Sequence, residues 1–268
     1  MSTAPLLTNY HTHTLRCKHA IGVVADYVAE AAKAGCAELG FSDHCPYPAL
    51  YSRNTWPESR MSERELSLYV REVRQAAETA PFPVLLGFEC EWGEKYRSWY
   101  SDELLAHCKS DYLIFGPHWV VNSINEIIYA PDIKLGKEIA LYFAQTIQGI
   151  ESGLFAFVAH PDLIMADGRE WSRELAAGFS DVIDAAIAHN LPLEVNGYGI
   201  VKRQVSDSHG KRYQYPHEKF WELALEKGAS VICNSDAHKP DYVMTGAKNA
   251  FDYASRFGLR IESKLNRN

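Results

Sequence analysis

The sequence predicts a parallel α/β fold, and three observations carry the prediction. Short apolar runs alternate with longer stretches of helical periodicity about seven times along the 268 residues. The runs are apolar on both parities, as expected of strands buried on both faces. Nearly every run ends in histidine, aspartate or glutamate, and in parallel α/β folds the active site lies at the C-terminal ends of the strands. Periodicity alone leaves two architectures open, a closed barrel and an open doubly wound sheet.

The first run, "LLTNYHTH", ends at His11 and His13. "VVADYVAEAAKAG" follows, with Val24, Tyr27, Val28 and Ala31 at helical spacing and Gly35 as a C-cap. "AELGFSDH" ends at Asp43 and His44. In "SERELSLYVREVRQAAE", Ser62 and Glu65 have capping-box spacing, and Leu66, Tyr69, Val70 and Val73 form one apolar face. "PVLLGFECEW" carries Glu89 and Glu91, "DYLIFGPHW" His118, and "FAFVAHPD" His160 and Asp162. "PLEVNGYG" carries Glu194 and Asn196, and "SVICNSDAH" ends at Asp236 and His238. Residues 134–150, 173–189, 216–227 and 241–256 read as helices. No repeat, low-complexity segment or linker divides the chain, so residues 1–268 are expected to form one domain.

Composition excludes several classes. A net charge of −7 and an apolar content of 47% fit a folded domain and argue against a basic nucleic-acid surface. No apolar run approaches the ~18 residues that span a membrane, and the N-terminus lacks a secretory pattern. The six cysteines are scattered without a CxxC, as in a reduced, cytoplasmic protein. The oligomeric state is not legible.

The strand ends point to a shared metal or catalytic site. His-x-His on a strand sends both imidazoles to one side. Imidazole with carboxylate suits zinc, manganese or iron. Each residue alone has a plainer explanation. His118 or His160 at the end of an apolar strand is more often a satisfied core histidine, Asp43-His44 before Pro46 reads as a turn, and His19 lies in a loop. Cys17 and Cys45 sit near the clusters as lesser candidates. His107, His189, His209 and His217 read as surface or substrate-side residues.

Taken in order, "HTH…H", "SDH", the strand-three glutamate, the two single histidines and "SDAH" resemble the PHP (polymerase and histidinol phosphatase) superfamily over almost the whole chain. Within it, "SDHCPYP", "PESRMS", "LLGFECEW", "DYLIFGPHW", "LEVNGYG" and "NSDAHKPDYV" look like histidinol-phosphate phosphatases. The resemblance implies a distorted (β/α)7 barrel with two to three divalent metal ions (Zn, Mn or Fe) at the C-terminal strand ends. It implies that His11, His13, Glu89 and Asp236 hold the first ion. Glu89 would bridge to a second with His118 and His160, and His19, His44 and His238 would hold the third. Asp43 or Asp236 is then expected to protonate the leaving alkoxide, and Lys202, Arg203, Arg169 and Asn196 to contact a small phosphorylated substrate. The reaction implied is hydrolysis of a phosphate monoester, histidinol phosphate first, with a nucleotide or another small ester as alternatives. A third reading is an amidohydrolase, although that pattern wants a lysine where this chain has His118. One departure concerns the segment after strand six. The subfamily usually has an arginine there, and this chain has Val201, followed by Lys202 and Arg203. Tyr198 and Trp56, of "NTWP", either shape the pocket or pack.

Overall fold

A computed structural model describes residues 7–52, 55–134 and 136–266; Leu6, in the first predicted run, and Asn54, beside Trp56, lie outside them. Four parallel strands open the sheet: β1 (Thr8–Asn9), β2 (Glu38–Phe41), β3 (Val84–Cys90) and β4 (Tyr112–Phe115). Between them lie α1 (Val24–Lys33), the short α2 (Ala49–Ser52) and α3 (Leu66–Thr79). The capping box forms as read: the Ser62 N–H donates to Glu65 Oε2 at 2.8 Å. Gly35, with φ of 72°, follows the last turn of α1 in the left-handed region.

After β4 comes a feature the periodicity does not reveal, the antiparallel hairpin β5 (Trp119–Val121) and β6 (Ile127–Tyr129). Then follow α4 (Gly136–Glu151), α5 (Arg173–Ala188), β7 (Leu193–Asn196) and the short α6 (Gly197–Val201). A second unforeseen hairpin, β8 (Val205–Asp207) and β9 (Gly210–Arg212), precedes α7 (Glu218–Lys227), β10 (Ser230–Asn234), α8 (Val243–Phe257) and β11 (Arg260–Ile261).

The fifth predicted strand forms no continuous element. Its Val158 bridges Phe115 on one side and Leu193 on the other, which links β4 to β7. The segment ends where His160 turns into the left-handed region (φ 29°) ahead of Pro161. β7 pairs with β10 in register Val231↔Leu193 to Asn234↔Asn196. Beyond β10, Ala237 bridges Thr12, which brings the end of β10 against the chain that leaves β1. The result is an α/β fold around a curled parallel sheet.

The period of two divides the apolar residues between the two faces of that sheet. Leu86, Leu113, Val158 and Val231 belong to the large core. Their neighbours Leu85, Ile114, Phe157 and Ile232 form a separate cluster with Tyr10 and Tyr112. Tyr112 crosses that second face, and its hydroxyl donates to the carbonyls of Tyr10 (2.7 Å) and Phe41 (3.1 Å). Gly87 leaves it the space, because a Cβ there would lie 2.5 Å from the Tyr112 ring.

Candidate metal centre

His11 and His13 leave the extended chain after β1 on one side, two residues apart. Their Nε2 atoms approach to 3.1 Å. Two carboxylates face the pair. His11 Nε2 lies 3.4 Å from Glu89 Oε2 and 3.5 Å from Asp236 Oδ1. His13 Nε2 lies 3.5 Å and 3.1 Å from the same two atoms. A tetrahedron with ~2.1 Å metal–ligand bonds has edges of ~3.4 Å. These five separations lie near that edge length, so the four donors could hold one divalent ion.

The other oxygen of Glu89 serves a second set. Oε1 lies 3.2 Å from His118 Nε2 and 2.8 Å from His160 Nε2. A third group lies nearer the rim, with ring centroids 5.3 Å apart for His19–His44 and 4.8 Å for His19–His238. His44 leans from this group toward Glu89, with Nδ1 3.0 Å from Oε2. Buried polar atoms here want a cation. Glu89 Oε2 and the Nδ1 atoms of His13, His44 and His160 lack hydrogen-bond partners among the described residues.

The rings are aimed by partners at Nδ1. His11 meets Glu194 at 2.8 Å and His118 meets Glu91 at 3.0 Å, while His19 and His238 meet the carbonyls of Cys17 and Asp236. This is how metal-ligating histidines are usually oriented. Glu194 is itself held by Asn196 Nδ2, Asn234 Nδ2 and the His160 N–H. Asp236 sits at φ 50°, a strained conformation that the surrounding bonds maintain.

Charge is distributed accordingly. Burial alone would raise the Glu89 carboxyl, but His118, His11 and His44 hold it well below the usual range. Burial, helped by His13, drives His44 down to about 3 despite Glu89, so its ring is neutral and free to ligate. Around His11, the carboxylates of Glu194, Asp236 and Glu89 outweigh burial and raise its pKa well above the ordinary value.

Above the donors opens a cavity of ≈ 370 Å³, whose wall includes His19, His44, Glu89, His118, His160, Asp236 and His238. Two cations reach it. Lys202 lies 4.3 Å from the Tyr198 ring centre and donates to the Tyr215 hydroxyl at 2.8 Å. Arg60, in "PESRMS", is buried against Glu91 through Nη2–Oε1 (2.9 Å) and Nη1–Oε2 (3.2 Å). Sequence reading assigned Arg60 no role; its one signal is a lone arginine within a motif. Trp56 and Tyr198 both lie on the wall.

Several expected substrate residues lie elsewhere. Arg169 donates to the carbonyls of Ile164, Pro131 and Ile133, so its guanidinium pins loops and is not free for phosphate. Arg203 is exposed and away from the cavity wall. Asn196 caps α6 through Oδ1 and holds Glu194 and Asp236 through Nδ2, which makes it a positioning residue. Asp43 is fully buried, with both oxygens on Thr14 and Oδ1 3.8 Å from His13 Nδ1, and it is not part of the cavity wall. His217 is neither a surface nor a cavity-wall residue of this site. It is buried, stacked on Trp171, and donates its N–H to Asp162.

Fold and donors together define a class: a parallel α/β protein whose strand ends offer imidazole and carboxylate to metal. The chain belongs to the PHP domain family, whose model matches residues 9–197. It is 27% identical over 243 residues, 88% of each chain, to a protein of Deinococcus radiodurans named "Probable histidinol-phosphatase". A second protein of that name, from Schizosaccharomyces pombe, is 24% identical over 93% of this chain and 86% of its own length. The fold is similar to a histidinol phosphate phosphatase from Lactococcus lactis solved with zinc, L-histidinol and phosphate (TM-score 0.69, 14% identity, 97% of this chain and 99% of that one). It is also similar to a putative histidinol phosphatase from Listeria monocytogenes (TM-score 0.70, 16% identity, 90% and 98% coverage). No helix among the described residues is long and apolar enough to cross a membrane.

Proposed function

We propose that the protein is a metal-dependent phosphoesterase that hydrolyses a small phosphate monoester, with histidinol phosphate as the first substrate to test. In this reading residues 1–268 act as one unit, the sheet is a distorted (β/α)7 barrel, and two to three ions occupy the donor sets. The observation that carries the reading is Glu89, one carboxylate with an oxygen on each of two donor sets beneath a cavity that also holds two cations. Ions bound there supply Lewis acidity toward phosphoryl oxygens and lower the pKa of bound water toward neutrality.

The chain's own residues do the rest. His11, His13, Glu89 and Asp236 hold the first position, Glu89, His118 and His160 the second, and His19, His44 and His238 the third. Lys202 binds the phosphate, fixed by the Tyr215 hydroxyl. Arg60 adds positive potential from the same cavity wall, tempered by its pairing with Glu91. Asp236, held ionised against burial by His11, His13 and His238, accepts the proton that the attacking water loses and passes it to the leaving oxygen, and it lines the cavity where both events occur. His118 stands where an amidohydrolase would want lysine, which favours the phosphoester reading. The relatives' names and the neighbour that binds histidinol and phosphate support this substrate class.

The test is phosphate release from histidinol phosphate beside a panel of phosphomonoesters, on protein of counted metal content. A preference of orders of magnitude in kcat/KM for histidinol phosphate supports the substrate. Turnover of another ester keeps the phosphoesterase reading and moves the substrate. A metal-loaded protein that cleaves none of them overturns both.

A further inference from the structure

We propose that Cys17 is a metal ligand, a thiolate that joins His19 and His238 at the outermost donor set. This rests on the metal reading above and adds to it a donor of different chemistry.

The stretch "LRCKHA" folds as a tight turn over Leu15–Cys17. The turn closes through Lys18 in the left-handed region (φ 67°), which brings Cys17 and His19 to the same side. The Cys17 side chain is fully buried. Its Sγ and one ring nitrogen each of His19 and His238 lie within 4.8 Å of one another, and Sγ is likewise grouped with His13 and Asp43. His19 and His238 both use Nδ1 on a backbone carbonyl, so Nε2 is the atom each has left to offer.

Burial and the Asp43 carboxylate push the Cys17 thiol up to about 12, against the backbone N–H groups of His19 and Ala20, so a bound cation has to supply the charge that keeps a thiolate. One further observation marks the sulfur as a ligand and not as packing. The grouped His13 is fully buried, and its Nδ1 has no hydrogen-bond partner among the described residues, so the cluster carries an unmet polar valence. By contrast, Cys45, equally buried beside His44, donates its thiol to the Pro46 carbonyl.

The step is an exchange without redox change. The S–H bond of Cys17 breaks, the sulfur keeps the electron pair and bonds the cation, and the proton passes to solvent. A soft donor in this set biases it toward zinc or cobalt over manganese.

The test is titration of metal-free, full-length protein with Co²⁺, followed by absorption. The wild type should show visible ligand-field bands and a near-ultraviolet sulfur-to-cobalt charge-transfer band. Cys17→Ser should lose the second and keep the first, and the control Cys108→Ser should keep both. Ligand-field bands with no sulfur band in the wild type overturn the Cys17 assignment and leave the metal reading intact. A sulfur band that survives in both Cys17→Ser and Cys17→Ala assigns the sulfur to another cysteine and also overturns the proposal. No visible bands at all overturn the metal reading itself.

Discussion

Glu194 lies on the far side of His11 from the metal position, yet it fixes that ring's tautomer and raises its basicity through a 2.8 Å contact. Glu194→Gln removes the charge and keeps most of the shape. It should weaken the tightest metal site about 10–100-fold, measured by competition with a coloured chelator, while circular dichroism stays unchanged. Proton competition is the second residue-level consequence. Burial alone would lower His13 and His118, but the carboxylates outweigh it: Asp236 and Asp43 around His13, and Glu89 and Glu91 around His118, push both up to about 9. In metal-free protein both rings are therefore protonated at neutral pH, whereas the ligand is the neutral imidazole. Metal affinity should rise steadily between about pH 7 and pH 9 and flatten above, by up to roughly tenfold per unit for each proton displaced. A pH-independent affinity over that range would contradict the assignment. The donors themselves were legible because strand ends and the period of two fix where a side chain emerges. What the cations do was not. Arg169 and Arg60 look alike in sequence, and only the fold shows one held by carbonyls and the other paired with Glu91 on the cavity wall.

The element that sets the substrate side is α6. Asn196 caps it, and its C-terminal end delivers Lys202 to the cavity. Gly199 is the close-approach point, since a Cβ there would lie 2.1 Å from the Tyr215 carbonyl oxygen. Gly199→Ala should therefore displace Tyr215 and with it the hydroxyl that holds Lys202. The expected outcome is a KM raised several-fold with metal content unchanged. Lys202→Met should raise KM more strongly, on the order of tenfold or above, in line with the loss of a charge-assisted bond; inductively coupled plasma analysis beside the kinetics separates this from metal loss. The main helices and six of the strand runs were legible from periodicity and caps. The two hairpins were not, because three-residue strands carry no period to detect. The run at Phe155–Asp162 reads as a strand because it is apolar on both parities. It does lie between β4 and β7, hydrogen-bonded to β4 through Ala156, Phe157 and Ala159 and to the β7 side through Val158, but the pairing is too short to form a continuous strand.

Across the whole molecule, the donors come from segments far apart in sequence that the curled sheet brings to one end. The chain leaving β1 and the chain leaving β10 meet at the Thr12–Ala237 bridge, where His13 and Asp236 face each other. An ion held as proposed would tie these two segments together. Stripping metal with EDTA should lower Tm on the order of 5–10 °C, read by differential scanning calorimetry, and zinc should restore it. An unchanged Tm would mean that the donors hold no ion in the folded state.

That closing contact also has a consequence in time. The Ser235 hydroxyl donates to the His11 carbonyl across a sequence separation of 224, and Asp236 follows directly. On the ribosome, His11 and His13 emerge early, meet Glu89 within the first third of the chain, and wait for nearly the whole message to be read before Asp236 exists. Metal loading as proposed would then check completeness. A chain released before the end of β10 carries most of the histidines but lacks Asp236, and so would not assemble the first donor set.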